Sequence, residues 1–127
     1  MTQRSSMISL VRRHRFLVGI LAALFVALVY YDFPGSFDPT IWRAHHGDTT
    51  PGNPRWSMRH DLRWRYLSYR MKHAEVIALL GEPDRFKDPS EFSYNLGMHS
   101  GFGIDEDCLD LFFDRAGYLI RSRVCQN

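Results

Sequence analysis

Residues 16–31 form an uncharged run of sixteen aliphatic and aromatic positions that no other stretch of the chain resembles. As a helix the run spans roughly 24 Å, against a hydrocarbon core of about 30 Å. Phe33 extends it past Asp32, Tyr30 and Tyr31 suit an interface, and Arg15 can snorkel at the other end. The pattern predicts a transmembrane anchor over residues 16–33, with a basic cytoplasmic tail over residues 1–15. A cleaved secretory signal shares the charged start and apolar run and is the competing reading, although no clean small-x-small cleavage site closes the run.

Beyond the apolar run the texture changes. Residues 34–54 hold Pro34, Gly35, Pro39, Gly47, Pro51, Gly52 and Pro54 with few periodic apolar positions, and read as a linker in which Ile41 and Trp42 are available to dock on the domain or a bilayer. Residues 55–127 read as one α+β domain. Met58, Leu62 and Tyr66 recur every four residues and predict a helix over 55–67, while Arg55, Arg59 and Arg63 recur on another face. This arginine stripe is the candidate interaction face, weighed against an ordinary solvated helix face. Trp56 and Trp64 suit core or interface packing better than a ligand cage. A second helix over 72–80 carries Val76, Leu79 and Leu80, with Gly81 placed as its left-handed cap and Pro83 as its stop.

Three strands follow in the pattern. Phe92, Tyr94 and Leu96 alternate within residues 91–96, residues 97–103 read as a glycine-containing loop, and residues 108–113 and 118–125 flank a turn at Asp114-Arg-Ala-Gly117. The expected architecture is therefore a transmembrane helix, then two helices packed on a three-stranded antiparallel sheet.

The formal charge of +2 is unevenly placed. Arg4, Arg12, Arg13 and Arg15 precede the apolar run, and from Asp32 onward twelve basic residues face fourteen acidic ones, a net of −2. A slightly acidic domain argues against nucleic acid as a partner.

Cys108 and Cys125 are the chain's two cysteines, and both fall on the last hairpin. Opposing them sets Asp110 against Arg123 and gathers Leu109, Leu111 and Phe113 on one face with Ile120 and Val124, which favours a disulfide. A type I turn with Gly117 in a G1 bulge sets Cys108 against Val124 instead, and a further bulge would reconcile the two registers.

Other chemistry is weakly signalled. His14, His45, His46, His60, His73 and His99 are scattered along the chain and read as solvated or capping groups. The run Asp105-Glu-Asp107 lacks the calcium-loop signature, residues 97–103 lack phosphate-loop spacing, and Ser93 and Ser100 lack a nucleophile-elbow context. The two cysteines fit no zinc pattern. No catalytic residue, cofactor or metal is expected.

The stretch Arg70-Met-Lys-His-Ala-Glu-Val-Ile-Ala-Leu-Leu-Gly-Glu-Pro83 resembles the helix signature of the SmpA/OmlA (BamE-like) domain, where a Gly-Met-Thr-like start leads to a Glu/Gln-Val pair and Leu-Gly-x-Pro. Phe92-Ser-Tyr-Asn-Leu-Gly97 and Leu109-Asp-Leu-Phe-Phe-Asp-Arg-Ala-Gly-Tyr-Leu119 resemble its aromatic strand and closing hairpin. Val76, Leu80, Gly81, Pro83, Tyr94 and Gly117 carry the likeness, which covers residues 58–124. It implies a small α+β domain that binds other envelope proteins and catalyses nothing, as in lipoproteins that assist outer-membrane barrel assembly. This chain has no lipobox cysteine after its apolar run, and Arg70 stands where the family usually has glycine. The expectation is thus a single-pass inner-membrane protein with a periplasmic interaction module, linked to outer-membrane protein assembly or envelope integrity. The alternative is a periplasmic inhibitor or immunity-type protein that binds an enzyme.

Overall fold

A computed structural model describes residues 3–32 and 35–126, with side chains described for 13–28 and 35–126. The chain divides into two units, Met1–Phe33 and Pro34–Asn127. The first is a single helix, α1 (Gln3–Asp32). Among the described residues, no helix is long and apolar enough to cross a membrane. The uncharged run of residues 16–31 makes about 24 Å of helix, short of about 30 Å of hydrocarbon. The expected transmembrane anchor is corrected on this finding, and single-pass inner-membrane residence falls with it. The side chains of Tyr30, Tyr31 and Phe33, and those of residues 1–12 in the expected basic tail, lie outside the described residues, while the tail's backbone from Gln3 belongs to α1.

The second unit runs α2 (Pro39–Ala44), α3 (Arg55–Asp61) continuing into a π-helical turn (Leu62–Tyr66), α4 (His73–Leu80), then β1 (Arg85–Asp88), β2 (Glu91–Ser100), β3 (Asp105–Phe113) and β4 (Leu119–Gln126). The strands form one antiparallel sheet in the order β1-β2-β3-β4. The sheet thus has four strands where three were expected. The added β1 is the tetrapeptide Arg-Phe-Lys-Asp, exposed throughout, whose sequence lacks the alternation that marks a half-buried strand. β2 also runs on through the expected loop to Ser100.

Residues 35–54 are not the expected spacer. Asp38 caps α2 by accepting from the backbone N–H groups of Thr40 (2.8 Å) and Ile41 (3.1 Å), and Pro39 occupies the first turn. The short helix delivers Trp42, fully buried, against Phe37 and Tyr94. Burial of a side chain that large contributes on the order of 2–3 kcal/mol, which holds the segment on the domain.

One face of the sheet makes the core. Phe92, Tyr94 and Leu96 of β2 and Leu109, Leu111 and Phe113 of β3 meet Met58, Leu62, Val76 and Leu80 from the helices. α4 ends as its sequence requires: Gly81 adopts φ 80°, its N–H bonds Ile77 O at 2.8 Å, and its carbonyl accepts from Tyr94 Oη at 2.9 Å.

The closing hairpin satisfies both register arguments. Gly117 takes φ 84°, and Asp114 N–H bonds Tyr118 O at 2.9 Å, giving the G1-type turn and the pair Phe113↔Leu119. The register then shifts so that Phe112 faces Arg121, Asp110 faces Arg123 and Cys108 faces Cys125. Ile120 is the extra residue, a bulge. Cys108 and Cys125 form the disulfide. The bulge also turns Ile120 outward, 52 % exposed, where the simple register had it on the apolar face.

Candidate docking face

The arginine stripe does not survive as one face. Arg55 is fully buried, with Nη1 2.6 Å from Asp84 Oδ2, Nε donating to Trp42 O at 2.7 Å, and its guanidinium 4.9 Å from the Trp42 ring. Burial lowers the Arg55 pKa and Asp84 opposes that shift. Asp84 also accepts from Asn95 N–H at 2.7 Å and from Gly47 N–H, and lies 3.1 Å from His46 Nδ1. Arg55 is therefore a clasp between residues 35–54 and the sheet, and its place in the interaction face is corrected. Arg59 lies 3.6 Å over the Trp56 ring, which stacks in turn on His99 at 4.8 Å. Arg63 reaches the outer strand β4, donating from Nε to Ser122 Oγ at 3.1 Å and from Nη2 to Ser122 O at 3.3 Å.

Around Arg63 the structure gathers a face that periodicity does not show. In the π-helical turn Leu67 N–H bonds Leu62 O, five residues back, at 3.0 Å. The added residue rotates the next side chains off the α-helical schedule, and π-turns recur at functional sites. Trp64 is left 84 % exposed and Tyr69 75 % exposed. The chain then doubles back on β4: Arg70 N–H bonds Leu119 O at 2.9 Å and Leu119 N–H bonds Met71 O at 2.8 Å. Arg70 makes this turn with φ 87°, a left-handed conformation that costs a side-chain-bearing residue roughly 1–3 kcal/mol.

The result is a groove. A hollow of about 300 Å³ is lined by Arg63, Trp64, Leu67, Ser68, Tyr69, Leu119 and Ser122. A more open one of about 790 Å³, lined by Tyr69, Arg70, Asp114, Tyr118, Leu119 and Ile120, shares Tyr69 and Leu119 with it. Exposed aromatic rings, guanidinium groups and an aliphatic floor are the chemistry enriched at the anchor points of protein interfaces.

The remaining candidates are dispersed. His73 packs its ring on Phe92 (5.0 Å) and Phe113 (4.2 Å), His45 lies 2.8 Å from Asp48, and burial lowers the His99 pKa. The acidic run splits into separate tasks: Asp107 is buried and accepts from His99 N–H and Ser100 N–H, each at 2.8 Å, while Glu106 pairs with Arg85 at 2.6 Å. Among the described residues, the one close group of metal-type ligands is Cys108, Asp110 and Cys125, whose sulfurs are bonded to each other.

Tyr69, Ile120 and Ser122 were missed by sequence reasoning, because only the π-turn, the left-handed Arg70 and the bulge bring them together. The one local signal was Arg63-Trp-Arg65, a large ring between two charges in a helix that otherwise keeps its apolar residues on one side. Compared with known proteins, the chain matches no family model and no curated sequence.

Proposed function

We propose that this protein is a protein-interaction module that binds its partner through the groove between the π-turn and β4. The observation that carries this reading is the exposure of Trp64 and Tyr69 beside a hollow floored by Leu67 and Leu119. Rings left in water at a concave, partly apolar surface gain most from being covered, and such residues dominate binding energy. The Cys108–Cys125 disulfide supports work in an oxidising compartment. The likeness of residues 70–83, 92–97 and 109–119 to SmpA/OmlA domains supports an envelope protein as the partner, in barrel assembly or envelope integrity.

The test is affinity purification of the tagged full-length chain from its own cells, with mass spectrometry, beside a Trp64→Ala/Tyr69→Ala variant. A partner held by the wild type and lost by the variant, at unchanged melting temperature, is the expected result. Loss of one hot-spot ring weakens binding by about 2 kcal/mol, roughly thirtyfold. Equal recovery by both proteins removes this face from the function. Recovery of one enzyme as the sole face-dependent partner would mark the module as an inhibitor.

A further inference from the structure

We infer that the groove takes an acidic, extended segment of the partner protein, laid along β4. The inference rests on the interaction-module reading and adds the chemistry of the occupant.

Charge is the first argument. Arg63 and Arg70 line the groove, one in each hollow. Arg63 spends its guanidinium on the neutral oxygens of Ser122. Arg70 makes no ion pair among the described residues. The acids nearby are already used: Asp61 pairs with Arg65 at 3.4 Å and accepts from Phe37 N–H at 2.7 Å, and Asp114 accepts from Ala116 and Tyr118 N–H groups within its own turn. A partner bringing carboxylates meets guanidinium groups that lack a charged partner.

The strand edge is the second. β1 is one outer strand of the sheet, but it is four residues long, carries Lys87 and is followed by Pro89, a blunted edge. β4 is the other: its first residue, Leu119, is already bonded to the Arg70–Met71 backbone, and beyond it the edge runs to Gln126 with Arg63 across the Ser122 carbonyl. A guanidinium bonds a carboxylate about twice as strongly as a neutral acceptor. An incoming carboxylate therefore draws Arg63 off Ser122 and frees that carbonyl for a backbone N–H of the arriving segment, which is strand addition. Trp64 and Tyr69 supply the surfaces for its apolar residues.

A second copy of this chain is a poor occupant. Antiparallel self-pairing centred on Ser122 sets Arg121 of one copy opposite Arg123 of the other, a like-charge pair that destabilises a sheet. An anionic bilayer would meet the same arginines but leaves a concave floor and a strand edge unused.

The experiment pans a display library of random peptides of about twelve residues on the purified full-length protein, discarding clones that also bind Trp64→Ala/Tyr69→Ala. Enrichment in Asp and Glu with an aromatic or aliphatic anchor is expected. The best synthetic peptide should lose about tenfold or more in affinity with Arg70→Glu, and should weaken as salt rises. Neutral or basic winners at the same face overturn the acidic occupant and leave the interaction module standing. A Trp64-dependent dimer in sedimentation, or binding to phosphatidylglycerol vesicles with no peptide enriched, overturns it in favour of those occupants. With no face-dependent ligand of any kind, both readings fail.

Discussion

At the scale of single residues, the group most exposed to damage is Arg55. Its ion pair with Asp84 is desolvated on both sides, the two side chains being 0 % and 2 % exposed. Such a pair adds little over an apolar contact, but removing one member strands the other charge, at about 3–5 kcal/mol. Arg55→Ala should therefore lower unfolding free energy in urea by that amount, and Arg55→Ala/Asp84→Ala should cost less than the sum of the single variants. A second residue gives the domain an acid limit. Asp48 accepts from Thr50 Oγ1 at 2.6 Å and Thr50 N–H at 2.9 Å and lies 2.8 Å from His45 Nδ1, which holds its pKa at about 2, with the Thr50 hydroxyl the largest cause. The folded value lies below the ordinary 3.8, so the stabilisation is complete above 3.8 and is lost as pH falls toward about 2. The carboxylate keeps 20 % of its exposure, so the effect is about 1 kcal/mol after screening. Asp48→Asn should remove that part of the acid transition between pH 4 and pH 2, read by circular dichroism. The arginine stripe shows why the sequence could not separate these roles. A four-residue period gives faces, but depth depends on what packs over them. The partners that bury Arg55, Asp84 and the Trp42 carbonyl, lie 29 residues after it and 13 before it.

At the scale of elements, legibility follows local grammar. α4 was readable because its stop is written in Gly81 and Pro83, and the Ile120 bulge was readable because turn chemistry and cross-strand chemistry demanded registers one residue apart. α2 was not read, although Asp38-Pro39 is a helix-start signal, since the surrounding prolines and glycines suggested a spacer. The docking groove was the least readable feature, because the π-turn inserts a residue that no period announces. Arg70 closes that groove at φ 87°, a backbone conformation that glycine adopts without strain. Arg70→Gly should relieve roughly 1–3 kcal/mol of backbone strain, offset by about 0.5–1 kcal/mol of added unfolded-state entropy. The expected outcome is a net gain of about 1 kcal/mol and a melting temperature higher by roughly 5 °C in calorimetry. The same change deletes a guanidinium from the groove, so the more stable protein should bind an acidic peptide less tightly. A lower melting temperature would mean that the Arg70 side chain contributes more than its backbone costs.

At the scale of the whole domain, the disulfide and the docking face belong to one design. β4 is an outer strand, paired along one side with β3 and touched on the other by Arg63 and by the Arg70–Met71 backbone. Its first half is fixed by the turn at Gly117 and by Leu119, 2 % exposed, whereas its last residues run to an exposed end at Gln126. Cys125 sits on that end and ties it to Cys108, itself nearly buried in β3, across a sequence separation of 17. Closing a loop of that length removes about 3 kcal/mol of chain entropy from the unfolded state, a large share of the roughly 5–15 kcal/mol that holds a domain folded. The bond also limits fraying of the strand that a partner segment must pair with, so its loss should be felt twice. Cys108→Ser/Cys125→Ser should unfold at lower urea concentration by about 3 kcal/mol, and wild type unfolded in excess reductant should match it. Hydrogen exchange of β4 amides beyond Ser122 should rise in the variant more than exchange in β2, because β2 has a paired strand on both sides while the end of β4 has β3 on one side and the disulfide. Equal protection of the two strands after reduction would show that Arg63 and the core contact of Leu119 suffice to hold the edge, and the disulfide would then serve stability alone.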